Sequence, residues 1–167
     1  MSTQTQKVED ALASMTDALR SRLPDEPLMV GIHSGGVWVA ERLHQQLEIS
    51  SQLGTIDITF YRDDFSTIGL HPQVNTSYLP EDIEERDIVL VDDVLQTGRT
   101  IRAALNEIFS YGRPQSVILA VLVDRGQREL PIQADVCGLN LDLQMDEQVK
   151  LTGPDSLELR IMKKNDH

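Results

Sequence analysis

The sequence predicts an α/β domain built on a mainly parallel central sheet flanked by helices. Three observations lead there. Short apolar runs of buried-strand type, at residues 28–32, 87–91 and 117–123, alternate with segments of helical period. The first two runs pass through a small-residue turn straight into a helix, the opening half of a βαβ unit. The length of 167 residues, with 40% hydrophobic and 25% charged side chains, suits one globular domain over residues 1–167.

Taken in order, residues 6–23 carry Val8, Ala11, Leu12, Met15, Leu19 and Leu23 at helical spacing, and Pro24 stops the pattern. Residues 28–32 form a buried strand. Ser34-Gly35-Gly36 turns the chain into a helix with Ala40, Leu43 and Leu47 on one face. Alternation of Ile56, Ile58 and Phe60 marks a strand over 55–62. Residues 62–80 are polar, contain Gly69, Pro72 and Pro80, and show no period; a loop this long belongs to function or motion. The 87–91 strand leads to a helix with Ile101, Ala104, Leu105 and Ile108 on one face, ended by Gly112 and Pro114. The 117–123 strand follows, then shorter strands near 134–137, 148–152 and 157–162.

Charge and cysteine content exclude several classes. Fifteen basic against 27 acidic residues give −12, which excludes a broadly basic nucleic-acid binder but leaves room for a small phosphate site. Cys137 is the only cysteine, so no intramolecular disulfide forms. His33, His44, His71 and His167 are scattered, without the ligand spacing of a zinc site. The N-terminal residues lack the pattern of a secretory signal, and no stretch approaches the roughly 20 apolar residues that span a bilayer. A cytoplasmic protein without a membrane partner is the expectation.

The chemistry concentrates in one segment, Ile88-Val89-Leu90-Val91-Asp92-Asp93-Val94-Leu95-Gln96-Thr97-Gly98-Arg99-Thr100. Two adjacent acids end an apolar strand, and a loop with Thr, Gly and Thr opens a helix. Backbone N–H groups at a helix start favour an anionic phosphate. Gly98 permits close backbone approach, and the Thr97 and Thr100 hydroxyls add donors. Carboxylates do not bind phosphate, so Asp92 and Asp93 serve a neighbouring group: sugar hydroxyls or a hydrated Mg²⁺. Parallel sheets bind ligands beyond their carboxyl strand ends, where residues 34–36, 92–100 and 124–130 begin.

That segment resembles the binding motif of type I phosphoribosyltransferases, which use 5-phosphoribosyl-1-diphosphate (PRPP). Tyr61-Arg62-Asp63-Asp64, Gly112-Arg113-Pro114, residues 120–126 and Arg128-Glu129-Leu130-Pro131-Ile132 extend the resemblance. Together they are similar to the PyrR family, pyrimidine operon regulators that are also uracil phosphoribosyltransferases. The resemblance spans about residues 28–140. It implies the type I phosphoribosyltransferase fold, with a small hood and a flexible loop containing Ser66, Thr67, Gly69, His71 and Pro72. It implies uracil and PRPP as substrates, UMP and diphosphate as products, and Mg²⁺ as cofactor.

On that resemblance, Asp92 and Asp93 hold the ribose 2′- and 3′-hydroxyls, and the metal directly or through water. Val94, Leu95, Gln96, Thr97, Gly98, Arg99 and Thr100 wrap the 5′-phosphate. Ser34, Gly35 and Gly36 form the diphosphate loop, where the family often has an arginine at the position of Gly35. Arg125 and Arg128 are candidate anion partners. Asp92, Asp93 and Arg62 are the candidate catalytic residues, although Arg62 with Asp63-Asp64 also reads as a surface ion pair. His33 reads as a strand-end residue rather than a catalytic base, and Trp38 and Cys137 read as packing residues. The family further implies a homodimer or a higher assembly.

Two alternatives stand beside uracil transfer: a regulator that senses uridine nucleotides and binds leader RNA with little catalysis, and a phosphoribosyltransferase for another base. The family commonly has His, Arg and Lys at the positions of Gln127, Gln133 and Leu139. Their absence argues against RNA binding.

Overall fold

The computed structural model describes residues 3–58, 77–80 and 82–164. Their elements run α1 (Thr3–Arg20), β1 (Leu28–Ile32), α2 (Gly35–Gln46), β2 (Gly54–Ile56), β3 (Asp87–Leu95), α3 (Arg99–Tyr111), β4 (Ser116–Asp124), β5 (Val136–Asn140), β6 (Glu147–Thr152) and β7 (Glu158–Lys163). Among the described residues, five strands form one sheet in the order β2-β1-β3-β4-β5, every pair parallel. β6 and β7 pair antiparallel in a separate hairpin, the small hood.

Period-2 alternation divides the sheet between two cores. Val89 and Val91 of β3 with Ala120 and Leu122 of β4 face one side, where Leu12, Met15 and Leu19 of α1 and Val39, Ala40 and Leu43 of α2 pack. Ile88 and Leu90 with Leu119 and Val121 face the other, against Ile101, Ala104 and Ile108 of α3. Ile88, Leu90, Ala104 and Ile108 are all 0% exposed; burial of each of the Leu and Ile side chains stabilises by about 1.5–3 kcal/mol. The hood hairpin joins the first core through Leu151, Leu157 and Leu159.

Helices on both faces and this strand order place the site. From β1 the chain moves outward to β2, and from β3 it moves outward the other way to β4. The direction of winding therefore reverses between β1 and β3, and their carboxyl ends open a crevice. β1 delivers Ser34-Gly35-Gly36 to that crevice, and β3 delivers Asp92-Asp93.

Several element limits differ from the sequence expectation. β2 covers only Gly54–Ile56; Asp57 and Ile58 are buried but follow the strand, and residues 59–62, Phe60 among them, lie outside the described residues. β3 does not stop at Val91. It continues through both aspartates to Leu95, because Asp92, Val94 and Leu95 pair with Val121, Val123 and Asp124 of β4. The last sheet strand lies at Val136–Asn140, later than 134–137, in register with Ala120–Asp124 of β4. No helix among the described residues is long and apolar enough to cross a membrane.

Candidate active site

Asp92 is only 5% exposed, an expensive place for a carboxylate unless hydrogen bonds hold it. Its Oδ1 accepts the Asp93 N–H at 2.8 Å, and Asp93 Oδ1 accepts the Val94 N–H at 2.8 Å. Each acid thus caps the next backbone donor, which fixes both carboxylates within the last residues of β3 before any ligand arrives.

The turn before α2 packs directly on this pair. Gly36 is buried, and a Cβ there would lie 2.8 Å from Val91 O and 3.0 Å from Asp92 Cα. Gly35 stands against the Asp93 side chain in the same way. Ser34 caps α2 through its carbonyl, which accepts the Val37 and Trp38 N–H groups at 3.1 and 3.3 Å. The two segments identified separately in sequence, 34–36 and 92–93, are therefore in contact.

Beyond Leu95 the chain reverses into α3 at Gly98, whose φ of 93° lies in the left-handed region that glycine tolerates. Thr97 Oγ1 accepts the Arg99 N–H at 3.1 Å. The loop encloses a cavity of about 370 Å³, bounded by residues 92–98, Thr100 and Ile101. The opposite wall is Val149, Lys150 and Leu151 of β6. Nothing in the sequence singled out that wall: a lone lysine in a polar strand carries no motif.

Arg99, Arg125 and Arg128 do not line this cavity. Arg99 Nε donates to Glu129 Oε1 at 3.0 Å on the surface. Arg125, 5% exposed, donates to Glu147 O, Gln144 O and Gln127 Oε1. Arg128 grips Asp124 with two bonds, at 2.9 and 2.6 Å, and donates to Gln96 O and Ile132 O. That grip holds the Asp124 carboxyl below its usual range, against partial burial, which pushes it up; the Gly126 N–H adds to the lowering.

Arg128 braces the loop through Gln96 O, while Arg99 and Arg125 are engaged with protein partners away from the cavity. Glu129 N and Leu130 N both donate to Thr97 O, and Arg125 N donates to Leu95 O. Gln96 Nε2 donates to Gln127 Oε1 at 2.9 Å. The 124–130 segment is thus a scaffold that sets the conformation of residues 95–97.

Arg62, Ser66, Thr67, Gly69, His71 and Pro72 lie outside the described residues. Trp38 packs on the first core and abuts Gly153 of the hood. Cys137 is half-buried in β5, and burial pushes its thiol up. Asp92 and Asp93 offer oxygen donors of the kind Mg²⁺ accepts while keeping most of its waters. Among the described residues no group of three or more His, Cys, Asp and Glu side chains converges on one point.

Comparison with known proteins agrees with this architecture. The phosphoribosyl transferase domain matches residues 3–157. The "Bifunctional protein PyrR" of Nitrosococcus oceani is 59% identical over 159 residues, covering 91% of this chain and 90% of that protein. The protein of the same name from Pseudomonas aeruginosa is 54% identical over 154 residues, covering 90% and 91%. Among solved structures, purine phosphoribosyltransferase from Pyrococcus horikoshii superposes with a TM-score of 0.65 at 25% identity, over 82% of this chain and 84% of that one. A hypoxanthine phosphoribosyltransferase from Staphylococcus aureus gives 0.66 at 19% identity, over 83% and 74%, a likeness of fold. The chain belongs to the phosphoribosyltransferase domain family and, within it, to the PyrR proteins.

Proposed function

We propose that the cavity between β3, α3 and β6 transfers the 5-phosphoribosyl group of PRPP to uracil, giving UMP and diphosphate. One observation carries this reading: the capped Asp92-Asp93 pair and the glycine-led start of α3 share a single cavity. A diol acceptor beside a phosphate cradle fits a phosphorylated ribose.

In the reaction the C1′–O bond to diphosphate breaks, the uracil nitrogen bonds to C1′, and the proton of that nitrogen is lost. The ribose becomes oxocarbenium-like on the way. Asp92 and Asp93 accept hydrogen bonds from the 2′- and 3′-hydroxyls, and their charge stabilises the developing cation. The backbone of residues 94–100 and the hydroxyls of Thr97 and Thr100 hold the 5′-phosphate at the α3 N-terminus. Gly35 and Gly36 let the start of α2 pack against Asp92 and Asp93, which puts its N-terminus beside the pair, where diphosphate would lie. Mg²⁺, when bound beside Asp92 and Asp93, spreads the charge of the leaving diphosphate. No side-chain nucleophile is needed, since positioning and exclusion of water supply the catalysis.

A radiolabelled-base assay with PRPP and Mg²⁺, comparing uracil with hypoxanthine, guanine, adenine and orotate, tests the assignment. Label transfer to uracil is expected; transfer to a purine or orotate instead would reassign the base. The "bifunctional" name of the relatives supports a second role; the family resemblance places it in pyrimidine gene control, with UMP as the sensed product at the same site. A cytoplasmic homodimer completes the reading.

A further inference from the structure

The cavity has an electrostatic deficit. It is meant for a phosphate, yet two carboxylates stand on its wall and the chain as a whole carries −12. The partial positive charge at the α3 N-terminus is worth about half a unit. Of the four arginines in the candidate loops, Arg99, Arg125 and Arg128 are engaged with protein partners off the cavity wall, and Arg62 lies outside the described residues. Among the described residues lining the cavity, Lys150 is the one cation.

Two further facts separate Lys150 from an ordinary surface lysine. Its side chain makes no hydrogen bond or ion pair with any described residue, although the chain is rich in acids. Its cross-strand partner in the hairpin is Arg160, also exposed. Like charges directly opposed across an antiparallel pair destabilise it. Hairpin stability therefore does not account for this doublet, whereas a multiply charged anion beside it would relieve the repulsion.

We infer that Lys150 is a phosphate-binding residue supplied by the hood, which closes on the 5′-phosphate of the ligand from the side opposite residues 94–100. It distinguishes 5′-phosphorylated ligands from bare nucleosides. The hood then has an electrostatic task as well as a shielding one. This deepens the reading above and rests on it for the identity of the ligand.

The test measures UMP and uridine binding by isothermal titration calorimetry, and KM for PRPP, in wild type, Lys150→Gln and Lys150→Arg. Lys150 is exposed and faces Arg160 across the hairpin, so the melting temperature is expected not to fall. Loss of one charge-assisted phosphate contact predicts a roughly tenfold or larger rise in UMP Kd and in PRPP KM for Lys150→Gln. The uridine Kd is expected within twofold of wild type, with Lys150→Arg restoring most of the affinity for UMP. An unchanged UMP Kd, an equal loss for uridine, or a wild type with no preference for UMP over uridine would overturn the assignment. Lysine-dependent UMP binding without uracil turnover would sink the catalytic reading and leave Lys150 in place.

Discussion

Gly35 makes room for Asp93. A Cβ at position 35 would stand 2.7 Å from Asp93 Cγ, 3.1 Å from its Cβ and closer still to Oδ2. In this conformation the carboxylate that caps the Val94 N–H thus occupies the space that a Cβ at 35 would take. Gly35→Ala is expected to rotate Asp93 away and lower kcat/KM for PRPP by roughly an order of magnitude. Combining it with Asp93→Ala separates the cause: if Gly35 acts through Asp93, the second substitution adds almost nothing to the first. Multiplicative losses would mean that Gly35 matters through the backbone alone.

Asp92→Asn and Asp93→Asn remove charge while keeping size. Both retain an oxygen that can accept the neighbouring N–H, so the strand end stays formed. Turnover is expected to fall sharply in each, by at least tenfold, with melting temperatures close to wild type. Unchanged kcat/KM in both variants would remove the pair from the catalytic machinery.

How far the sequence could be read depends on which interactions are local. The α1 stripe, the β1 and β4 runs and the α3 face announce themselves by period, and they form the two cores. Asp92-Asp93 was visible because the acids interrupt an apolar run, yet their place inside β3 was not; pairing with Val121 and Val123 is a long-range event that overrides the polarity of the pair. Arg125 and Arg128 read as anion partners because sequence shows a charge and not its partner. Only the fold shows Arg128 returning to Asp124 and Arg125 reaching the carbonyls before β6. Lys150 had no local signal, since its importance comes from the hairpin lying across the phosphate loop.

The Asp124–Arg128 pair gives a pH signature. Asp124 has its carboxyl pKa lowered, chiefly by the Arg128 hydrogen bonds, from an ordinary value of 3.8. A depressed carboxyl contributes stability above that value and loses it as pH falls through the folded one. The pair is only partly screened from water, so the contribution is about 1–2 kcal/mol. Urea unfolding of wild type and Asp124→Asn is expected to show a constant gap above about pH 5 that narrows below pH 3.8. A gap that widens with acid would refute the assignment.

RNA binding is expected to be weak or absent. Phosphate recognition requires cations free to replace counterions, and the 124–139 surface offers few. Arg128 is held by Asp124, Gln96 O and Ile132 O, and Arg125 is 5% exposed with three protein acceptors. Gln127, in place of the family's common histidine, links Gln96 to Arg125 and donates to Leu143 O, so its amide faces protein as well. Gln133 is neutral, and Leu139 packs against the first core. A gel shift with pyrimidine leader RNA, at low and physiological salt and against an unrelated RNA, is therefore expected to show no specific complex. Freeing the arginine should matter in a predictable direction: Asp124→Asn removes a negative charge and loosens Arg128, so any residual, non-specific binding at low salt strengthens. A tight complex formed only with leader RNA by the wild type, weakening steeply as salt rises, would show that cations outside this surface carry recognition.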